Sequence, residues 1–519
     1  MTAVRWACVV AALGAAACLL LDPHSADLAA QQYRAGLVRD GGLGLWDNGW
    51  FAGHHTPAYS ILFPPLGAAL GVGLAGALAS LAAAALFARI AQRHWGERAA
   101  TVAAAWFALA VTATLLSGRM TFLLGVACAL AAMLALQSAR PLLAAALAAV
   151  TTLASPVAGL FAALAALAWG LAGGGRRARL AWAALIACAA LAPAAALALL
   201  FPEGGTEPFV ASAFWPALAA TALVAVVVGA REPALRAGAV LYALTCIAAF
   251  AFATPLGGNI TRLGALLAGP VVAGALFAGP PPAVGRRSPW LLVALALPLG
   301  YWQAYPAVRD VVRASGDPST AAAYHAPLVR WLERRPGSFR VEIPFTANHW
   351  EAAHVAPSVP LARGWERQLD RRYGALFYDG TLTARSYRAW LDEHAVAYVA
   401  LPDAELDYSA KAEARLVEHG LPYLHQVWHD AHWRVFAVRG AAPLVHGAAR
   451  TIELEPDAFA LRARRRGDAF VRVRWSRWWT VTAGRACVQK GPDGMTRVRV
   501  LAPGRVRVQA RLRGASCRR

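Results

Sequence analysis

The stretch that decides the fold runs from residue 120 to residue 171 and reads MTFLLGVACALAAMLALQSARPLLAAALAAVTTLASPVAGLFAALAALAWGL. It contains a single charged residue, Arg140. A helix needs about twenty apolar residues to cross the hydrocarbon layer of a membrane, because its polar backbone must be hydrogen-bonded within the helix. The stretch therefore predicts three membrane-spanning helices, over residues 120–136, 141–153 and 157–171. The last two are short, and they would form one long helix if the chain were only kinked at Ser155 and Pro156.

Similar apolar runs lie on both sides of this stretch. The other eight predicted spans cover residues 4–21, 60–88, 100–116, 180–200, 211–228, 234–253, 263–277 and 290–305. The composition agrees, because the 519 residues are 58% hydrophobic and 15% charged, against about 25% charged in an ordinary soluble protein. The sequence thus predicts an all-α membrane domain of about eleven helices over residues 1–306.

The distribution of arginine gives the expected orientation, because cytoplasmic loops of membrane proteins are enriched in Lys and Arg. With eleven crossings and a cytoplasmic N-terminus, the inside segments hold Arg5, Arg89, Arg93, Arg98, Arg140, Arg176, Arg177, Arg179, Arg231, Arg236, Arg286 and Arg287. The outside segments then hold only Arg34, Arg39, Arg119 and Arg262. Joining the two short helices would place the cluster at 176–179 outside. Eleven crossings are therefore favoured, with the N-terminus cytoplasmic and the C-terminal domain extracytoplasmic.

The formal net charge of +21 is concentrated in the C-terminal part. Residues 307–519 hold thirty-four Lys and Arg against twenty-one acids, whereas residues 1–306 hold sixteen Arg against eight acids. No zinc-finger spacing, recognition-helix pattern or RNA-binding motif accompanies this charge, so it does not indicate nucleic acid. A basic exported domain beside anionic lipid headgroups explains it more simply.

The first outer loop, residues 22–59, is the most unusual segment of the membrane domain. It reads DPHSADLAAQQYRAGLVRDGGLGLWDNGWFAGHHTPAY, which is polar, aromatic and long for a connection between spans. Long ordered loops tend to be functional. Residues 27–39 have helical spacing that suits a helix lying along the lipid headgroups. Trp46, Trp50 and Phe51 are expected at the depth where aromatic belts form.

Three short motifs here resemble a known family. They are Asp27-Leu28-Ala29-Ala30-Gln31 continuing to Arg34, Leu45-Trp46-Asp47 continuing to Trp50-Phe51-Ala52-Gly53, and Phe63-Pro64-Pro65-Leu66. Together with the plan of helices, functional outer loop and extracytoplasmic domain, they resemble the polytopic glycosyltransferases of the glycosyltransferase C superfamily, above all its bacterial membrane proteins. The resemblance in motif covers residues 27–66.

The resemblance implies an enzyme that takes a sugar from a polyprenyl-phosphate carrier and passes it, with inversion, to a cell-envelope glycan or protein. Inversion needs one base that removes the acceptor proton while the phosphate leaves from the opposite side. The resemblance assigns this role to Asp27. The commoner family pattern has two acids adjacent or one residue apart, whereas Leu28 and Ala29 follow Asp27 here. Dependence on a divalent cation is therefore left open.

Each polar candidate in the loop has a structural alternative. An Asp at a helix start also accepts backbone N–H bonds, so Asp27 fits a cap as well as a base. Asp47 is a candidate metal or sugar contact, although it lies in a Trp-Asp-Asn-Gly sequence that is typical of a turn. His54 and His55 are candidate substrate contacts, although adjacent side chains on an extended segment point opposite ways. Arg34, which ends the first motif, completes the candidate substrate contacts of the loop.

Two further outer-face arginines are candidates for the donor phosphate. Arg119 lies between the third and fourth spans, where a guanidinium is expensive unless something anionic meets it. A bidentate pair with a phosphate and an interhelix pair with an acid such as Asp27 are both open. Arg262 has the same ambiguity, and Asn259 in the same Gly-Gly-Asn-Ile-Thr-Arg segment is a candidate contact beside it.

Beyond residue 306 the pattern becomes that of a water-soluble protein. Strands at 340–345 and 397–401 and helices at 387–394 and 410–419 predict an extracytoplasmic α/β domain over residues 307–445. Alternating segments after Thr451 predict a small β-sandwich over residues 446–519. Cys487 and Cys517 are a candidate disulfide if this part is extracytoplasmic.

Two rivals to the transferase stay open. A transporter or flippase for envelope precursors usually shows an internal repeat and charges within helices, which are absent from this sequence. A non-catalytic assembly factor that binds envelope glycan is permitted by the missing second acid. The expected partners are a polyprenyl-phosphate-linked sugar, an envelope acceptor and the lipid bilayer.

Overall fold

The computed structural model describes residues 2–172, 177–279, 289–491 and 493–512. The chain forms two compact units. The first, the membrane unit, combines Met1–Gln31 with Tyr59–Ser315. The second combines Gln32–Ala58 with Gly316–Arg519, so most of the predicted first outer loop belongs to it. It is called the exported module after its predicted orientation, which stays a prediction.

The membrane unit is built from helices. They are α1 (Ala3–Leu21), the start of α2 (Ala26–Gly41), α3 (Phe63–Leu70), α4 (Val72–Trp95), α5 (Glu97–Leu116), α6 (Met120–Gln137), α7 (Pro141–Ala154), α8 (Pro156–Leu171), α9 (Arg177–Leu200), α10 (Ala211–Val228), α11 (Pro233–Ala251), α12 (Thr261–Ala278) and α13 (Pro289–Ala314). Among the described residues, eight helices are long and apolar enough to cross a membrane, which makes the chain a multi-pass membrane protein. They are α1, α4, α5, α6, α9, α10, α11 and α12. The count of eleven crossings stays a prediction, and Arg176, Arg286 and Arg287, on which its orientation partly rests, lie outside the described residues.

The two short helices α7 and α8 are separate. Ser155 between them has extended backbone angles, and its hydroxyl accepts a hydrogen bond from the main-chain nitrogen of Ala158 at 3.4 Å. Ala145 of α7 and Ala163 of α8 belong to the same buried cluster. Residues this far on either side of Ser155 meet only if the chain reverses there, so the single kinked helix is excluded.

Small residues let the membrane helices approach closely, as is usual where lipid removes the hydrophobic drive for association. Buried alanines line α4, α5 and α6. At Gly269 of α12, an added Cβ atom would lie only 2.4 Å from the ring of Trp106 on α5. A larger residue there would push the two helices apart.

The exported module contains one mixed sheet and five helices between residues 316 and 438. The strands are β1 (Arg340–Glu342), β2 (Val396–Pro402), β3 (Leu424–His429) and β4 (Trp433–Val438), in the order β1-β2-β4-β3 with only β1 and β2 parallel. The helices are α14 (Ala322–Glu333), α15 (Glu351–His354), α16 (Arg367–Tyr373), α17 (Ala384–Glu393) and α18 (Lys411–Glu418). Tyr387 and Leu391 of α17, Val417 of α18 and Val399 of β2 share one core, which matches the predicted α/β pattern.

Two four-stranded antiparallel sheets follow. Their strands are β5 (Val445–Gly447), β6 (Ala449–Glu455), β7 (Ala458–Ala463), β8 (Gly467–Arg474), β9 (Trp479–Ala483), β10 (Ala486–Lys490), β11 (Met495–Val500) and β12 (Gly504–Ala510). The sheet orders are β10-β11-β8-β5 and β6-β7-β12-β9. Val471 and Val498 from one sheet share a core with Phe459 and Val508 from the other. The predicted plan of a helical membrane region followed by a β-rich C-terminal module is therefore confirmed.

One cysteine of the candidate disulfide lies on strand β10. Cys487 is disulfide-bonded. Cys517 lies outside the described residues. The pairing of these two cysteines stays a prediction.

The aromatic part of the outer loop lies inside the exported module rather than at headgroup level. Trp46, Trp50 and Phe51 are 2%, 0% and 1% exposed. Trp46 packs edge-on against Trp479 of β9, with ring centroids 5.1 Å apart. The main-chain nitrogen of Leu361 donates to the carbonyl of Gly49 at 2.8 Å. The expectation of an aromatic belt was wrong because the same residue types also suit a protein core.

Candidate functional site

Asp27 and two arginines meet in the membrane unit. Asp27 is in the first turn of α2, where the helix dipole favours a carboxylate. Its Oδ2 lies 3.4 Å from Nε of Arg119 and 4.0 Å from Nη2 of Arg262. These three residues are 92 and 143 positions apart along the chain, and the fold brings them together. The pair of Arg119 with Asp27 is the interhelix alternative that the sequence left open.

The backbone explains where each arginine lies. Arg119 occupies the short connection between α5 and α6, directly after Gly118, which has a positive φ of 73°. Arg262 is the second residue of α12, and its guanidinium lies over the ring of Phe122 at 5.6 Å. Two helix starts thus direct cations toward the start of a third helix.

The three side chains are only partly buried. Asp27 is 38% exposed, Arg119 26% and Arg262 19%. Ion pairs with this much exposure typically contribute about 1 kcal/mol or less. An incoming anion can therefore replace the Asp27 carboxylate beside the arginines with little loss of free energy.

A small cavity of about 30 Å³ adjoins both arginines. Its lining is contributed by α5, α6, α12 and α13 and comprises Ala110, Ala113, Thr114, Ser117, Arg119, Phe122, Arg262, Ala265, Leu266, Gln303, Pro306 and Ala307. The carbonyl Oε1 of Gln303 accepts a hydrogen bond from Nε1 of Trp106 at 3.0 Å, so its amide NH₂ is left as the donor end. The wall therefore includes two cations, Arg119 and Arg262, which suit an anion.

Two buried polar residues near Asp27 were not singled out from the sequence. Gln31 follows Asp27 by four positions and lies on the same face of α2. Its Nε2 donates to the hydroxyl of Tyr59 at 3.1 Å, and its Oε1, like the hydroxyl of Ser25, has no hydrogen-bond partner among the described residues. The separation of four residues between Asp27 and Gln31 was the feature of the sequence that could have indicated Gln31.

Asp47 and His54 meet in the exported module. Their main chains form two hydrogen bonds, and Nδ1 of His54 lies 3.7 Å from Oδ2 of Asp47. The Asp47 carboxyl also accepts from the hydroxyl of Tyr33 at 3.0 Å and from the nitrogen of Gly49 at 2.8 Å. Complete burial raises the pKa of Asp47 to about 7. The Asp-x-Gly turn expected from the sequence is present here.

The remaining candidates have other contacts. Arg34 forms an ion pair with Glu366 and lies over the ring of Trp50 at 5.4 Å. Nε2 of His55 is 2.9 Å from the hydroxyl of Ser476. Asn259 lies in the single turn Gly257–Ile260, and the described contacts do not join it to Asp27. The described residues hold no group of three or more His, Cys, Asp or Glu that suits a metal ion.

Comparison with known proteins gives a likeness in fold. No protein-family model and no curated protein matches the chain. The structure is similar to that of ArnT from Cupriavidus metallidurans bound to undecaprenyl phosphate, with a TM-score of 0.46 and 15% identity over 85% of this chain and 98% of that one. It is also similar to the Archaeoglobus fulgidus oligosaccharyltransferase tethered to an acceptor peptide, with a TM-score of 0.44 and 13% identity over 76% and 68%.

A second structure of that oligosaccharyltransferase, in complex with Zn and sulfate, gives a TM-score of 0.42 and 14% identity over 84% of this chain and 74% of that one. Similarity at this level carries no argument about the chemistry of this chain.

Proposed function

We propose that the protein is an integral membrane glycosyltransferase that moves a sugar from a polyprenyl-phosphate donor to a cell-envelope acceptor with inversion. The observation that supports this most is the meeting of Asp27 with Arg119 and Arg262, 3.4 and 4.0 Å from one carboxylate oxygen. The motif resemblance of residues 27–66 supplies the class of reaction.

The charges at this site favour an anionic ligand. Two guanidiniums face one carboxylate, so the immediate contacts leave one positive charge in excess. Glu207 has a longer-range interaction with Arg262 that offsets part of this charge. A cation at the edge of the hydrocarbon is costly unless an anion meets it, and a lipid phosphate is such an anion.

The proposed reaction gives each group one role. Asp27 accepts the proton of the acceptor hydroxyl as the acceptor oxygen bonds to the anomeric carbon. The bond from that carbon to the phosphate oxygen breaks on the opposite face, which inverts the centre. Arg119 and Arg262 stabilise the negative charge on the departing lipid phosphate. The orientation that accompanies this proposal has the N-terminus in the cytoplasm and the exported module outside.

A substitution of Asp27 tests the base directly. Membranes with Asp27→Asn, supplied with a labelled polyprenyl-phosphate sugar, should transfer about 10²- to 10⁴-fold more slowly than wild type, which is the usual contribution of a general base. Asp22→Asn is the matched control, because Asp22 is exposed and its left-handed φ of 41° is one that Asn readily adopts. Undiminished transfer by Asp27→Asn would remove this residue from the mechanism.

The arginines should act on donor binding. Arg119→Lys and Arg262→Lys keep the charge but lose the planar fork, so we expect the KM for the lipid donor to rise about tenfold. Arg39→Lys, an exposed site at the end of α2, is the control. Binding of polyprenyl phosphate without any transfer in wild type would favour a flippase or an assembly factor instead.

A further inference from the structure

Three arginines converge on the C-terminal end of helix α17 in the exported module. Nη1 of Arg340 donates to the carbonyl of His394 at 2.9 Å. Nη2 of Arg474 is 3.0 Å from Nε2 of His394. Nε of Arg472 donates to the carbonyl of Asp392 at 2.9 Å. We call these three residues the arginine cluster.

Arg340 is the least satisfied member. Its side chain is 0% exposed, and its Nε and Nη2 have no hydrogen-bond partner among the described residues. A guanidinium taken out of water is costly unless it is paired and fully hydrogen-bonded. Burial and the neighbouring Arg474 and Arg472 lower the pKa of Arg340 to about 9, which leaves it charged at neutral pH.

The helix end compensates only part of this charge. A helix C-terminus carries about half a negative charge, and basic side chains often bind its last carbonyls. The guanidiniums of Arg340 and Arg472 alone exceed that by more than one charge. Neither Arg340 nor Arg472 forms an ion pair within 4.0 Å in the described part of the chain.

The nearby titratable groups do not supply the missing charge. The Asp392 carboxylate pairs with Nε of Arg388 at 2.8 Å. His394 is neutral, because burial and Arg474 lower its pKa to about 3. His446, 3.4 Å from Nη1 of Arg472, also has a lowered pKa through burial and the same arginine. Asp392 is therefore already paired, and His394 and His446 are neutral at neutral pH.

We propose that Arg340, Arg472 and Arg474 bind a small oxyanion such as inorganic phosphate or sulfate at this helix end. An oxyanion matches the fork of N–H donors on a guanidinium better than a spherical ion does. The bound ion would pair with the unsatisfied Nε and Nη2 of Arg340. Because Arg340 is on β1, Arg472 and Arg474 on β8 and the helix end on α17, the ion would join the mixed sheet to the sandwich.

The test is the thermal unfolding of the purified full-length protein in detergent at constant ionic strength, with chloride replaced by inorganic phosphate or sulfate. Wild type should unfold at a higher temperature as either oxyanion is added, since a ligand of the folded state stabilises it. Both ions also stabilise proteins generally, so the comparison with variants is decisive. Arg340→Gln should lower the affinity for phosphate at least about tenfold.

Arg434→Gln is the matched control, because Arg434 is 47% exposed and pairs with Glu418 on the surface. It should respond to phosphate as wild type does. If Arg340→Gln does not fold, Arg472→Gln, at a half-buried position, should show the same weakened response. A wild-type response equal to that of Arg340→Gln or Arg472→Gln would overturn the site, and equal stabilisation by chloride would overturn its assignment to an oxyanion.

Discussion

Replacing Gly118 by alanine should displace the first turn of α2 from the connection that carries Arg119. A Cβ at Gly118 would lie 2.5 Å from the hydroxyl of Ser25 and 2.6 Å from the main-chain nitrogen of Leu28. Ordinary contacts begin at 3.4 Å, so Leu28 and the neighbouring Asp27 must move by about 0.8 Å. A misplacement of about 1 Å in a reacting group can reduce a rate about 10²-fold. We therefore expect Gly118→Ala to slow transfer about 10- to 100-fold without removing any catalytic group.

Gly71→Ala separates this displacement from backbone strain. Gly71 has a similar positive φ of 85°, but an added Cβ there would meet nothing within 4 Å. Both variants bear the strain of an alanine at positive φ. Gly71, with a ψ of 141°, lies close to a region that is essentially restricted to glycine, so its strain is at least as large. Transfer from a labelled polyprenyl-phosphate sugar, normalised to folded protein, should fall only in Gly118→Ala. Wild-type transfer by Gly118→Ala, or an equal loss in Gly71→Ala, would refute the reasoning.

Two further predictions concern the exported module. Arg363 is 2% exposed, binds Asp370 through two hydrogen bonds of 2.8 and 2.7 Å and lies 3.3 Å from Glu413. Arg363→Met should therefore destabilise the module by about 3 to 5 kcal/mol, because the two buried carboxylates lose their partner. Thermal unfolding checks this against Arg434→Met at the exposed pair with Glu418, where a loss below about 1 kcal/mol is expected. Burial raises the pKa of Asp47 from 3.8 to about 7. Between these two pH values the folded state retains a proton that the unfolded state loses, so wild-type stability should fall as the pH rises from about 4 to about 7. Asp47→Asn should lack that part of the slope in unfolding temperatures measured across pH, and an unchanged slope would contradict the raised pKa.

Hydropathy and local spacing determined much of the architecture. The apolar runs predicted most of the membrane helices, because a span is a property of about twenty consecutive residues. The single span predicted at 60–88 was wrong, since the chain there forms two helices, α3 and α4, that are divided at Gly71. Alternation of apolar and polar residues predicted strands such as β11 and β12. The Arg-rich cluster at 176–179 favoured a chain reversal at Ser155, and the packing of α7 against α8 confirms that reversal. The hairpin of β3 and β4 was not predicted, since the exposed edge strand β3 lacks regular alternation.

The tertiary structure alone decided which polar residues meet. The sequence offered Asp27, Arg119 and Arg262 as separate candidates, and only the packing of three helix starts places them within 4.0 Å. It also assigned Trp46 and Trp50 to the protein interior rather than to lipid. The complete burial of Arg340 was also decided by the tertiary structure, because its sequence position predicts only an ordinary strand residue. Local patterns report interactions over a few positions, whereas burial, charge balance and the partner of each polar group depend on segments that are hundreds of residues apart.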